Sequence, residues 1–383
     1  MDTKDSAEGG RTIPLSSPDI SEADIDAVVE VLRTPNLSLG PKLPEFESKF
    51  ALFMGSRHAV AVNSGTSALH LCIRAMGIGP GDEVITSPFS FIASANCILF
   101  EGARPVFVDI DKATWNIDVS LIEAAITERT KAILPVHVFG RPVDLEPLLA
   151  IAEKHSLVVL EDSCEAIGAT YKGRKVGTLG RCGTFAFYPN KQMTTGEGGM
   201  IISDDDETAD LCKSMRNQGR ATGGGGWLAH ARLGYNYRLS DINCALGITQ
   251  LARIPEFLEM RQTAAERYLE KLADIEEIIP PAPYTEGTMS WFVFVVRLAD
   301  RFSQSHRDSL LDFLHARGVG CNNYFTPIHL QPFYVEQFGF AEGDSPVTDL
   351  VSQRTIALPF FNRLSEDDQD YAIAALKDGL ARL

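Results

Sequence analysis

Between residues 58 and 202, short apolar runs alternate with stretches whose apolar residues recur at helical spacing. The runs cover 58–62, 83–86, 105–109, 132–136, 157–161, 184–188 and 200–203. Several recur at intervals of roughly two dozen residues, the spacing of strand–helix–strand units. The pattern predicts an α/β fold with a mostly parallel, seven-stranded sheet. Right-handed crossovers would cover both of its faces with helices. Before this region, Ser21 reads as the N-cap of a helix, with Asp24 at the third position and Ile20 able to staple to Ile25. Ile25, Val28, Val29 and Leu32 recur at helical spacing and predict one buried face. Residues 35–44 (PNLSLGPKLP) read as an irregular connector.

Beyond the alternating region, 205–214 reads as a polar helix, and 221–227 (ATGGGGW) as a flexible loop. Gly223 to Gly226 stand just before a GYNYR segment, which suggests a lid over a substrate. Ser240 caps a helix over 241–251, and a long amphipathic helix runs from 255 to about 273. After Pro280-Pro281 the character changes to a smaller α+β unit. It comprises strand 291–298, helix 307–317, loop 321–332 and a final helix capped at Ser365. The expected division is a flexible tail over 1–11, a large domain over 12–254, a linking helix over 255–275, and a small C-terminal domain over 276–383.

The chain has 35 Lys and Arg against 51 Asp and Glu, a net charge of −16 over 383 residues. That field repels nucleic acid and anionic membranes, so neither is an expected partner. Seven cysteines are dispersed without a C-x-x-C pair. A disulfide framework or a metal site is not expected, and the reducing cytoplasm fits best. No apolar run is long enough to span a bilayer, and the first residues lack an apolar signal core.

The chemistry centres on 184–202 (TFAFYPNKQMTTGEGGMII), where a β-rich run ends at Pro189 and Lys191 follows. Lysines in loops are usually solvated, but this one would sit past a strand end, where open α/β sheets place their chemistry. Asn63 to Ala68 (NSGTSA) follow a strand and open a helix, which makes an anion site or a plain N-cap. Strand 157–161 leads into Asp162, an acid that could keep a pyridine nitrogen protonated or simply cap a turn. Glu165 follows one turn later. Phe91 closes an SPFSF segment and could stack on a ring or pack in the core. In LGYNYR, Asn236 could donate to a phosphate and Arg238 could pair with an anion, or both could serve structure. Tyr324 and His329 lie in a loop of the C-terminal unit, and His137 ends a strand; lone histidines are more often structural than catalytic. A lysine, a phosphate cradle and a buried carboxylate are together the parts for holding pyridoxal phosphate as a Schiff base.

NSGTSALHL, EDSCEAIGA, FYPNKQMTTGEGGM, LGYNYRLSDINCALGITQL and YFTPIHLQPFY occur in this order across the chain. With them the sequence resembles, essentially end to end, the DegT/DnrJ/EryC1/StrS family of sugar aminotransferases. The resemblance implies a fold-type I enzyme dependent on pyridoxal 5'-phosphate, with its active site at a homodimer interface. It implies that Lys191 binds the cofactor and shuttles a proton, and that Asp162 pairs with the pyridine nitrogen. Gly65, Thr66 and Ser67 would hold the phosphate, Phe91 would lie against the ring, and Glu165 would sit near the ring hydroxyl. Asn236 would reach the phosphate of the partner subunit's cofactor, and Arg238, His329 and Tyr324 are the candidates for substrate. Two positions depart from the commonest pattern. Ala186 stands where many members have a phosphate-binding Ser, and Glu165 where Gln is common. The presence of Lys191 argues against the family's deoxygenating branch. The implied reaction is transamination of a nucleotide-linked 4-keto-6-deoxyhexose with glutamate as donor. A 3-keto sugar or a cyclitol ketone is the alternative substrate. A nicotinamide-dependent oxidoreductase would need a GxGxxG turn that is absent, and a non-catalytic sensing protein would have no need of Lys191 and Asp162.

Overall fold

A computed structural model describes residues 10–221 and 229–383. The Gly223–Gly226 stretch, and most of the expected tail, lie outside the described residues. The strands of the large sheet are β1 (His58–Val62), β2 (Glu83–Thr86), β3 (Arg104–Phe107), β4 (Thr130–Leu134), β5 (Val158–Asp162), β6 (Cys182–Ala186) and β7 (Gly199–Ser203). Their spatial order is β1-β7-β6-β5-β4-β2-β3. Strands β6, β5, β4, β2 and β3 pair in parallel, and every side chain of β2 is buried, as expected of a sheet covered on both faces.

One strand of this mostly parallel sheet runs the other way. β7 pairs antiparallel with both β6 and β1. The segment 187–198 that joins β6 to β7 holds no helix, so the chain cannot cross over and must return beside the strand it left. All strands except β7 therefore run the same way, and their carboxyl ends share one edge of the sheet. β6 also lies two residues earlier than the sequence suggests, ending at Ala186.

Two expectations for the N-terminal segment change. Helix α1 (Glu22–Leu32) has the capping box of Ser21 and Asp24, yet its buried residues are Asp24 and Val31. Ile25 and Leu32 are 46% and 55% exposed. Asp24 turns inward because Thr249 and Gln250 donate to its carboxylate, at 2.5 and 3.0 Å. A second helix, α2 (Lys42–Met54), starts inside the expected connector. Its start is held by Asp241, which accepts the backbone N–H groups of Gly40 at 2.8 Å and Lys42 at 2.9 Å.

Helices α3 (Gly65–Ala75) and α4 (Ala93–Leu99) follow β1 and β2; α5 (Asp206–Arg216) follows β7; α6 (Asp241–Ala252) and the long α7 (Ile254–Leu272) lead to the C-terminal part. There, β8 (Phe294–Leu298) lies between the short strand Ile278–Ile279 and β9 (Thr355–Leu358) in an antiparallel sheet. β8 begins three residues later than expected, because Trp291 takes a left-handed backbone (φ 48°) that no ladder accepts. Helices α8 (Gln304–Ala316) and α10 (Glu366–Leu380) complete this part, and α9 (Pro346–Ser352) lies between them in the chain. Its core includes Tyr268 and Leu272 of α7, and also Ile13 from the start of the chain. Ile13 is hydrogen-bonded to Gly318 and Gly320, both at 2.8 Å. Arg11, expected in the tail, bonds to Asp368 at 2.6 Å.

Candidate active site

The carboxyl ends of β1, β2, β5 and β6 open onto a cleft of about 500 Å³. Gly65, Thr66, Phe91, Asp162, Glu165, Lys191 and Tyr324 all line it, as do Ser90, Ser94, Cys164, Ala186, Tyr188 and Phe292. Seven residues singled out in the sequence thus meet in one place, at the edge where open α/β sheets bind ligands.

Lys191, Asp162, Glu165 and Gly65 are each held by specific contacts. Lys191 sits in the β6–β7 connection, whose shape is set by Thr195 N–H and Thr194 Oγ1 donating to Phe187 O, each at 3.0 Å. Its Nζ stands 3.6 Å from Glu165 Oε1 and 3.7 Å from the centroid of the Phe292 ring, and the side chain is only 13% exposed. Asp162 is the last residue of β5. Its carboxylate accepts from Ser94 Oγ at 2.7 Å and from Cys164 N–H at 3.1 Å, and Ser94 Oγ is paired with Ser90 Oγ at 2.7 Å. Glu165 accepts Phe139 N–H at 2.8 Å. Burial pushes the Glu165 carboxyl up, against the pull of the Lys191 charge. Burial, with the Glu165 charge added, pushes the Tyr324 hydroxyl up to about 12. Burial and the Asp162 charge push the Cys164 thiol well above its ordinary value, so it is no ready nucleophile.

The anion end is built by α3. Ser64 caps it, accepting from Ser67 N–H at 3.1 Å. Gly65 is required here by space: a Cβ would lie 2.7 Å from that of Ala186 and 3.0 Å from Cys164 Sγ. The helix N-terminus and the bare Gly65 backbone make a cradle suited to a phosphate. With a half-buried amine and a buried carboxylate in the same cleft, the residues present fit pyridoxal phosphate.

Four predicted residues stand elsewhere. The Ser67 hydroxyl is turned to Asn63 Oδ1 (2.7 Å) and Ser64 Oγ (3.0 Å), because it serves the cap of its own helix. Asn236 is exposed, while Tyr235 and Tyr237 on either side stack at 4.9 Å and bond through their hydroxyls to Glu101 and His70. Alternation along an extended backbone turns Asn236 away from them. Arg238 donates to Asn217 Oδ1 at 3.1 Å. His329 is fully buried, 3.2 Å from Asp349 Oδ1 and packed on Phe107, so it cannot touch anything in the cleft. Burial lowers its proton affinity against the pull of Asp349. His137 is structural: Glu161 Oε2 lies 3.1 Å from Nε2, and Nδ1 accepts Val143 N–H at 3.0 Å. A second cleft, about 520 Å³ and lined by Asp111, Asp118, Asp144, Glu286 and Arg141, holds none of the predicted residues.

Sequence reasoning did not find Ser94, Ser90 or Phe292. The two serines carried a weak signal, standing four apart just past a strand end. Phe292 carried none.

Residues 18–377 match the DegT/DnrJ/EryC1/StrS aminotransferase family. The chain is similar to the spore coat polysaccharide biosynthesis protein SpsC of Bacillus subtilis, at 40% identity over 96% of each chain. It is similar to the GDP-perosamine synthase of Caulobacter vibrioides, at 41% identity over 95% of this chain and 97% of that one. Among solved structures, the PLP form of Spr1654 from Streptococcus pneumoniae superposes with a TM-score of 0.92 at 32% identity, over 97% of this chain and 99% of that one.

Proposed function

This chain belongs to the DegT/DnrJ/EryC1/StrS aminotransferase family and is a pyridoxal-phosphate-dependent aminotransferase; from that we propose that it moves an amino group from glutamate to the ketone of a nucleotide-linked 4-keto-6-deoxyhexose. The observation that carries the reading is the convergence of Lys191, Asp162 and the Gly65 cradle in one cleft. The sugar rests on the likeness to a GDP-perosamine synthase.

When bound, pyridoxal phosphate supplies an electron sink that stabilises negative charge on the carbon bearing the amino group. In this reading Lys191 holds the cofactor through its amine. The Lys191 amine, when free, would carry a proton to and from the reacting carbon. Asp162, fixed by Ser94, keeps a proton on the pyridine nitrogen. Gly65, Thr66 and the N-terminus of α3 take the phosphate. Ser67 supports them by shaping the cap. Phe91 would lie against the ring, and Glu165 stands 3.6 Å from the lysine amine. Tyr324 would narrow the substrate side.

We also propose a homodimer in the cytoplasm. Asn236 faces outward from its own cleft, which suits a contact with the partner's cofactor. Exposed Ile25, Leu32, Leu37 and Leu39 give a second copy an apolar face to cover. The seven cysteines are free, which suits a reducing compartment.

The test is an absorbance spectrum of the purified protein before and after glutamate, with Lys191→Ala alongside. The expected result is a visible band that glutamate bleaches and that the variant cannot regenerate with a nucleotide ketosugar. A band unchanged by every amino donor and ketosugar would overturn the substrate assignment.

A further inference from the structure

Arg261 of α7 is among the largest fully buried side chains in the protein. Among the described residues it has no carboxylate within ion-pair distance, and burial lowers its proton affinity to about 9. Burying a guanidinium without a counter-ion is costly unless its donors are satisfied. Here they are met by carbonyls. Nε donates to Asn362 Oδ1 at 2.8 Å, Nη1 to Trp291 O and Phe292 O at 3.0 Å each, and Nη2 to Lys191 O at 3.4 Å.

Those acceptors are informative. One belongs to Lys191. Two belong to the turn whose Phe292 ring lies 3.7 Å from Lys191 Nζ. The turn includes Trp291 in the left-handed region (φ 48°), a conformation a bulky side chain keeps only when its surroundings impose it. The neighbouring residue of α7, Gln262, accepts the Trp291 indole N–H at 2.7 Å, so the helix grips the turn twice. A planar fork can reach several carbonyls at fixed angles where a single ammonium cannot.

We propose that Arg261 is a positioning residue for the reaction: it clasps the main chain of Lys191 and the Trp291–Phe292 turn together, and so sets the stand of the lysine amine over the Phe292 ring. The inference rests on the reading that Lys191 carries the cofactor. A cation over an aromatic face is favoured over the neutral form, and Phe292 presents its face 3.7 Å from the Lys191 nitrogen. The other titratable groups sharing the cleft are Glu165, Asp162, Cys164, Tyr188, Glu197 and Tyr324, all left in place by the test below.

The experiment is a pH titration of the visible absorption of the pyridoxal-phosphate-loaded protein, compared among wild type, Phe292→Leu, Arg261→Met and Arg261→Lys, with circular dichroism to confirm folding. Phe292→Leu is expected to move the midpoint to lower pH by about half a unit or more. Arg261→Met moves it the same way, because the ring drifts from the amine, and Arg261→Lys does not restore it. A pure charge effect would have the opposite sign, since removing a nearby cation raises the midpoint. A merely structural role would lower the melting temperature and leave the midpoint alone. A folded Arg261→Met with an unmoved or raised midpoint overturns the proposal. If Arg261→Met does not fold, Asn362→Ala decides. It frees Nε alone, and a lowered midpoint supports the clasp while a wild-type midpoint overturns it. Absence of a lysine-bound band in the wild type would instead overturn the reading of Lys191 on which the inference rests.

Discussion

Gly65 and Ala186 face each other so closely that a Cβ on Gly65 would lie 2.7 Å from the Cβ of Ala186. The first turn of α3 and the end of β6 are thereby pressed together at the anion end of the cleft. Gly65→Ala is expected to weaken binding of pyridoxal phosphate by about tenfold or more. Ala186→Gly in the same chain recovers part of that loss, and the recovery is incomplete because Cys164 Sγ also stands 3.0 Å away. A fluorescence titration of the two single variants and the double variant checks this. Equal losses in the single and double variants would refute the contact as the cause.

Asp162 and Ser94 form a buried unit, the serine hydroxyl donating at 2.7 Å. Asp162→Ala is expected to reduce turnover by on the order of a hundredfold or more. Ser94→Ala, which leaves the carboxylate without one charge-assisted donor, costs about tenfold. Steady-state rates with a fixed donor measure both, and a Ser94→Ala loss equal to that of Asp162→Ala would mean the serine has a role of its own.

Acid should loosen the N-terminal helix. Burial alone would raise Asp19 and Asp24. Arg363 and Arg253 on Asp19, and Thr249, Ser21 and Gln250 on Asp24, outweigh it and hold both carboxyls below their usual value. A depressed folded value means stability that is present above an unfolded value of about 3.8 and lost as pH falls through the folded one. Asp19→Asn with Asp24→Asn is therefore less stable than wild type near neutrality, and the gap closes as pH falls below about 3.8. Melting curves across that window test it; a gap independent of pH would sink the assignment.

Asp109, just past the end of β3, caps a helix far along the chain. It accepts the N–H groups of Val347 (2.8 Å) and Thr348 (2.9 Å) and the Thr348 hydroxyl (2.8 Å), while Ser345 at the N-cap of α9 makes no side-chain cap. Asp109→Ala is expected to cost about 1 to 2 kcal/mol in denaturant unfolding. An unchanged midpoint would show that the cap is idle.

The apolar residues left exposed on and after α1 bear on assembly. Leu32→Asp with Leu39→Asp is expected to shift the protein from dimer to monomer in light scattering and to lower activity with it. A monomeric wild type, or a double variant that stays dimeric, would place the shared surface elsewhere.

The sequence by itself determined what short-range physics controls. Ser21, Ser240 and Ser365 cap where expected, because a hydroxyl bonding a backbone N–H two or three residues on is a local event. Most of the large sheet's strands were legible because fully buried strands must be apolar throughout. Lys191, Asp162 and Gly65 stood out because strand ends and helix starts are marked by local residue types. Tertiary structure decided the rest. β7 runs antiparallel because it inserts between β6 and β1, and which neighbours a strand takes is not marked in its own residues. α1 buries Asp24 and exposes Ile25 because Thr249 and Gln250, more than two hundred residues later, supply the partners. His329 is shut in a core, and Phe292 and Arg261 meet Lys191. These contacts join positions far apart in the chain, and no period or spacing in a sequence encodes which distant side chains will share a cavity.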